Sequence, residues 1–322
     1  MRVLREADVR AVLDLRSCID GVERAFVAYS TGKSEQPSVI HLDVPESGGE
    51  VHVKAGHLHG ASHYAVKVAS GFSALQRSDG LVIMFDARSG APAAILLDNG
   101  FLTEQRTAAA GGVAARHLAP RRVEAVGVIG TGAQARVQLD ALAVERGFKE
   151  VRIWGRSHLR AQRCVEDLRE RPGLPSGSEY LVAPTVRDAV DSADVVITCT
   201  ASREPLVRGD WLAPGAHVTA VGSDGADKQE LHLDVLARAD LLVVDSRAQC
   251  SRIGELHHAL EAGVVEEHRA VEIGEICAQE RPGRTRADQL TVCDLTGLGV
   301  QDVAAGAIVL RRAEGRGREI PL

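Results

Sequence analysis

Val123-Glu-Ala-Val-Gly-Val-Ile-Gly-Thr-Gly-Ala-Gln-Ala135 is the stretch on which the fold of this 322-residue chain turns. Val123 to Ile129 is apolar enough for a strand buried on both faces. It runs into Gly130-x-Gly132-x-x-Ala135, and the residues that follow, Arg136 to Gly147, have helical spacing. Strand, glycine turn and helix in that order form the dinucleotide-binding fingerprint. Gly130 permits the tight turn, Gly132 lets backbone approach a pyrophosphate, and Ala135 keeps the helix close to the strand. The N-terminus of the helix then presents free N–H groups and partial positive charge to the phosphates. Without a ligand the same residues would be a glycine-rich turn in an α/β domain. Their setting, mid-chain between a strand and a helix, favours binding.

Downstream of this turn, strands and helices alternate. Candidate strands are 123–129, 151–154, 179–183, 194–199, 216–221 and 241–245, with helices at 134–146, 158–171 and 233–238. Such alternation calls for a parallel sheet with right-handed crossovers. Residues 171–178 read as a loop within it, and a further strand (290–295) and an apolar helix (300–310) follow. The first third differs. An amphipathic helix over 8–31 precedes short β-like runs at 39–44, 50–54, 64–69, 81–86 and 93–97, separated by glycine-rich turns as in an antiparallel sheet. An Ala-rich helix, 102–117, ends before Pro120.

Bulk properties narrow the partners. The length suggests two domains or one elaborated domain, and 45% hydrophobic with 25% charged residues is ordinary for a globular protein. A net charge of −6 without a basic tract argues against nucleic acid or an anionic membrane. No apolar run reaches the ~20 residues of a membrane helix, and the N-terminus is charged too early for a signal peptide. The six cysteines are scattered with no Cys-x-x-Cys, as expected of reduced thiols in the cytoplasm.

Several residues stand out chemically. With Thr103 as N-cap, Arg106 falls in the first turn of its helix, where a cation opposes the helix dipole. It is either a surface arginine bearing a cost of ~0.5 kcal/mol, or a guanidinium pooled with the helix end for a carboxylate or phosphate. Lys67 is the only charge in an apolar strand, on the face of Ala65 and Ala69. It is either an edge lysine that blocks aggregation or a site lysine that binds a carboxylate or moves a proton. Asp224, in Gly222-Ser-Asp-Gly225 beyond a strand end, is either a turn aspartate or an acid/base group where α/β sheets bind ligands.

Cofactor choice is read at Ile153-Trp-Gly-Arg-Ser157. No Asp or Glu follows the strand to take the ribose hydroxyls, and Arg156 and Ser157, with Arg160 nearby, suit a 2′-phosphate. NADP(H) is favoured, and NAD(H) stays open. His52, His57, His59 and His63 crowd one hairpin without a common metal spacing, and the adjacent His257 and His258 would point about 100° apart on a helix. No metal is assigned.

Together the motifs resemble the ornithine cyclodeaminase/μ-crystallin family. The similarity runs over most of the chain, in Lys67-Val-Ala-Ser-Gly-Phe72, Leu102-Thr-Glu-Gln-Arg-Thr-Ala-Ala-Ala110, Ile129-Gly-Thr-Gly-Ala-Gln-Ala135, Val221-Gly-Ser-Asp-Gly-Ala-Asp-Lys-Gln-Glu-Leu231 and Asp294-Leu-Thr-Gly-Leu-Gly-Val-Gln-Asp302. The resemblance implies an α/β protein: a Rossmann-type parallel-sheet domain over 120–299, carried by an α+β substrate-binding and dimerisation domain built from both chain ends, 1–119 and 300–322. It implies that Lys67 and Arg106 hold a substrate carboxylate and that Asp224 is the catalytic acid/base. Around the Gly130-Thr131-Gly132 turn it places Ala133 and Gln134 on the pyrophosphate, with Thr200, Val221, Gly222, Ser223 and Lys228 near the cofactor.

Two departures bear on the substrate. Ser38-Val-Ile-His41 lacks the arginine that many members carry after the proline matching Pro37, so one carboxylate contact is lost or moved to His41 or Lys54. The usual Asp-Ser-x-Gly appears as Asp294-Leu-Thr-Gly297. Both put ornithine itself in doubt. The expectation is a cytoplasmic homodimer that reduces small α-imino acids, such as the cyclic imine pyrroline-2-carboxylate, by hydride transfer from NAD(P)H to the α-carbon. The alternatives are a redox-neutral ornithine- or lysine-type cyclodeaminase releasing ammonia, an alanine-type amino acid dehydrogenase, and a non-catalytic NADPH-dependent binder of a small ligand.

Overall fold

A computed structural model of the protein describes residues 1–72 and 77–321. The chain divides into two compact units, Met1–Arg106 with Leu298–Leu322, and Thr107–Gly297. The divisions fall at 106/107 and 297/298, where the sequence suggested 119/120 and 299/300. The first difference has a packing cause. Helix Phe101–Leu118 runs through the division, and just beyond it Ala115 and Ala119 lie in the same apolar core as Val126, Val128 and Ala135.

The first unit is a mixed sheet with helices on it. Its strands are β1 (Arg2–Arg5), β2 (Ser34–Glu35), β3 (Ile40–Val44), β4 (Gly49–Leu58), β5 (His63–Phe72), β6 (Arg77–Asp86) and β7 (Pro92–Leu97), with a last strand at Arg318–Glu319. That last strand pairs antiparallel with β1, and β1 pairs in parallel with β7. From there the order β7-β6-β5-β4-β2 is antiparallel, with β3 also paired to β4. The helix expected over 8–31 is two helices, Glu6–Arg10 and Leu15–Ser30, because the Asp14 side chain accepts a hydrogen bond from Ser17 N and starts a new helix.

Helix Gly299–Arg312 lies on the face of β4 and β5. The approach is too close for side chains. A Cβ on Gly299 would sit 2.1 Å from the Ala55 carbonyl oxygen, and one on Gly56 would sit 2.7 Å from Val300 N. The glycines therefore let helix and sheet backbones touch, and they bring Asp302 down onto the sheet.

The second unit holds eight parallel strands in the order β10-β9-β8-β11-β12-β15-β13-β14. These are β8 (Ala125–Ile129), β9 (Glu150–Trp154), β10 (Glu179–Val182), β11 (Val195–Thr198), β12 (His217–Ala220), β13 (Leu241–Val244), β14 (Ala270–Glu272) and β15 (Thr291–Asp294). The order reverses between β8 and β11, which is the switch point where doubly wound sheets bind ligands. Ile129, Thr198, Ala220 and Asp294 stand in register, so the loops after four strands open on one edge. This is the Rossmann-type architecture, accompanied by a mixed-sheet unit from both chain ends. Among the described residues no helix is long and apolar enough to cross a membrane.

Candidate functional site

The glycine turn follows β8 directly. Gly130 has φ +135°, and a Cβ there would lie 2.6 Å from Cys199 Sγ, so both conformation and packing demand glycine. Gly132 caps helix Ala133–Glu145, and a Cβ on it would meet no protein atom within 4 Å. Packing within the chain therefore gives no reason for glycine at this position. Ala135 is fully buried against Val126 and Val128, as the third position of the fingerprint requires. Thr131 and Gln134 are half-buried, Ala133 is exposed, and Gln134 accepts from Gln138 Nε2 at 3.1 Å. Arg136 folds back over this turn. Its Nη1 donates to the carbonyls of Thr131 and Gly132, while Nε is bonded to Asp167 at 3.0 Å. The backbone N–H groups and the helix end suit a pyrophosphate.

Arg156 and Ser157 are exposed just past β9. Ser157 also caps helix His158–Arg169, accepting from Arg160 N at 3.4 Å. No Asp or Glu occurs from Gly155 to Arg160.

Thr200, Val221, Gly222 and Ser223 follow β11 and β12 on the same edge as the glycine turn. Ser223 is buried, and its hydroxyl donates to the Lys228 carbonyl. Asp224 has a side chain 40% exposed and accepts from Lys228 Nζ at 2.8 Å. Solvent access together with a cationic partner suits a carboxylate that exchanges protons. His257, His258 and Glu261 place ligand atoms within 4.8 Å of one another, but His258 Nε2 lies 2.8 Å from the Lys228 carbonyl oxygen, so this group is an outer wall of the same loop.

In the first unit the structure brings Lys67 and Arg106 together. β5 is flanked by β4 and β6, so Lys67 is no edge residue and is only 2% exposed. The helix carrying Arg106 begins at Phe101, which puts Thr103 inside the helix instead of at its cap. Leu102 N donates to the Asp98 carboxylate at this end. Arg106 Nε donates to Asp302 Oδ1 at 3.0 Å and its Nη1 to Gln301 Oε1 at 3.0 Å. Lys67 Nζ lies 3.6 Å from Asp302 Oδ2, an ion pair too long for a hydrogen bond. Burial, reinforced by the Arg106 charge and opposed by Asp302, pushes the Lys67 ammonium down to about 7.

The two cations expected from sequence thus share one carboxylate that the sequence reading passed over. Its signal was present: Asp302 is the lone acid in the apolar stretch 300–310, just as Lys67 is the lone charge in its strand. Arg136, sitting on the glycine turn, was also missed, because an arginine in an exposed first turn looks like surface.

A sequence model of the ornithine cyclodeaminase/mu-crystallin family matches residues 1–317. An uncharacterized cyclodeaminase of Sinorhizobium fredii is 40% identical over 98% of this chain and 97% of its own. The solved structure of Thermococcus litoralis Δ1-pyrroline-2-carboxylate reductase, in complex with NADH and L-proline, is similar with a TM-score of 0.93 and 28% identity, over 99% of this chain and all (100%) of that one. An archaeal alanine dehydrogenase dimer with bound NAD is similar with a TM-score of 0.91 and 30% identity, over 100% of this chain and 99% of that one.

Proposed function

The chain belongs to the ornithine cyclodeaminase/mu-crystallin family, and from that premise we propose that it is an NAD(P)H-dependent reductase of small α-imino acids. One observation carries the reading: among the described residues Lys67 and Arg106 are buried together and both pair with Asp302. Two cations on one anion leave room in the charge balance for a second, which the substrate carboxylate supplies. The similar pyrroline-2-carboxylate reductase, in complex with NADH and L-proline, supports the same substrate type.

The glycine turn suits a dinucleotide, since Gly132 leaves space on its outer side and the helix end faces it. A bound nicotinamide supplies the hydride that reduces the imine carbon. The remaining work falls to the chain's own residues. Lys67 and the planar fork of Arg106 hold the carboxylate and so fix the position of the α-carbon. Asp224 exchanges the proton of the substrate nitrogen and reloads from solvent, while Lys228 orients it. Arg156, with no acidic residue beside it from 155 to 160, favours NADPH, although the two similar structures hold NADH and NAD. A homodimer is the working form, by likeness to the alanine dehydrogenase dimer. Ile40 and Leu42, 62% and 58% exposed on β3, are a surface that a second copy would cover.

Replacing Asp224 tests the chemical step. Asp224→Asn should lower kcat by about 10²- to 10⁴-fold while leaving the NADPH dissociation constant unchanged. Full activity in that variant would refute the assignment. A redox-neutral cyclodeaminase is the second reading, favoured by the Sinorhizobium relative; it requires ammonia release from a diamino acid without net NAD(P)H turnover.

A further inference from the structure

Glu230 is fully buried and takes part in none of the steps above. Its Oε1 accepts from Thr200 N at 2.5 Å, and its Oε2 accepts from Thr198 Oγ1 at 2.8 Å and Gly222 N at 2.9 Å. These donors are neutral and come from two places, Thr198 at the end of β11 with Thr200 two residues on, and Gly222 in the loop after β12. The two loops have no slack. A Cβ on Gly222 would lie 2.1 Å from the Thr200 carbonyl oxygen, and Cys199 in turn packs on Gly130.

Glu230 is itself held. Its own N–H donates to Glu255 Oε1 at 2.8 Å, and Leu231 N donates to Glu255 Oε2 at 3.0 Å. Glu255 opens helix Glu255–Glu261, whose Leu256 N donates to Asp294 Oδ2 at 3.0 Å, at the end of β15. Three buried carboxyl groups thus each accept from the backbone of the next segment, from β15 to the edge that carries the glycine turn. Asp224 lies on the stretch between Gly222 and Glu230, so one end of its loop is fixed by the same group.

We infer that Glu230 is a positioning residue for the dinucleotide, tying the loop after β11 to the loop after β12 so that both face the ligand in one arrangement. The inference rests on the cofactor reading proposed above. A carboxylate is required here because both of its oxygens face donors. A glutamine would turn its NH₂ toward the N–H of Thr200 or of Gly222, and one buried N–H would lose its acceptor.

The test is titration of wild type, Glu230→Gln and Thr198→Val with NADPH, followed by nucleotide fluorescence, with thermal unfolding measured in parallel. Wild type should bind, and Glu230→Gln should bind about tenfold or more weakly, the size expected when one buried N–H loses its acceptor. Its steady-state KM for NADPH should rise by the same factor, while the KM for the imine changes less. A merely structural role would lower the melting temperature and leave both constants of the folded enzyme alone. Thr198→Val removes one donor and keeps the backbone N–H groups of Thr200 and Gly222, so its weakening should be smaller. If Glu230→Gln does not fold, Thr198→Val decides, and an unchanged NADPH affinity overturns the inference. Wild-type affinity in a folded Glu230→Gln overturns it as well. Failure of wild type to bind either NADPH or NADH refutes the cofactor reading, and this inference falls with it.

Discussion

Lys67 shows how burial and function meet at one atom. The fold holds its ammonium pKa near 7 against an ordinary 10.5, chiefly by burial and then by the Arg106 charge. Because the folded value lies below the unfolded one, this group costs stability as pH falls from 10.5 toward 7. Its capacity to hold a carboxylate runs the other way, fading as pH rises past 7. The KM for an imino acid should therefore climb above pH 7, approaching about tenfold per pH unit where Lys67 alone controls binding. Lys67→Arg, whose guanidinium stays charged, should flatten that climb even if its overall KM is higher. Equal pH slopes for KM in the two enzymes would mean that Lys67 does not hold the substrate carboxylate.

Among the elements, helix Gly299–Arg312 bears most on the cation cluster, because it alone carries Asp302 and Gln301. Gly299→Ala places a methyl 2.1 Å from the Ala55 carbonyl, which is backbone and cannot swing aside. The helix should lift off β4 at a cost of about 1–3 kcal/mol by urea unfolding, with a fall in kcat/KM as Asp302 leaves its two partners. Wild-type stability and activity in that variant would show that the contact is soft. This helix also shows what was legible in the sequence. Its apolar run and the fingerprint after β8 were plain, because a long strand and helices of three or more turns imprint their periods on the residues. Strands of two to four residues, such as β1, β2 and β14, carry too few positions for any period. Helix Val186–Val190 has the same deficit, although Thr185 and Asp188 form a capping box there. The break at Asp14 was hidden because apolar residues continue on both sides of it. Lys67 and Arg106 were visible as oddities, but their shared partner lies 196 residues beyond Arg106, a pairing that no local pattern encodes.

For the whole molecule, acid stability has a buried marker. His217 is fully buried between the hydroxyls of Thr291 and Thr219, each 2.9 Å from a ring nitrogen. Burial, with the Arg284 charge, pushes its pKa from 6.5 down to about 3. The folded value is the lower one, so the stability gained by keeping the ring neutral is lost as pH falls from 6.5 toward 3, roughly 5 kcal/mol over the full window. Asp294, raised by burial from 3.8 to about 8, acts in the opposite sense, its contribution fading as pH rises across that range. A His217→Gln variant isolates the first effect: wild type should lose stability relative to it between pH 6.5 and 4, and parallel curves would contradict this. The proposed imine reduction is followed by absorbance at 340 nm. Purified protein is mixed with NADPH or NADH and with pyrroline-2-carboxylate or piperideine-2-carboxylate. Steady oxidation of the reduced cofactor is expected, faster with NADPH, with formation of the cyclic amino acid. No oxidation with either cofactor, alongside ammonia release from ornithine or lysine in the presence of NAD, would contradict it.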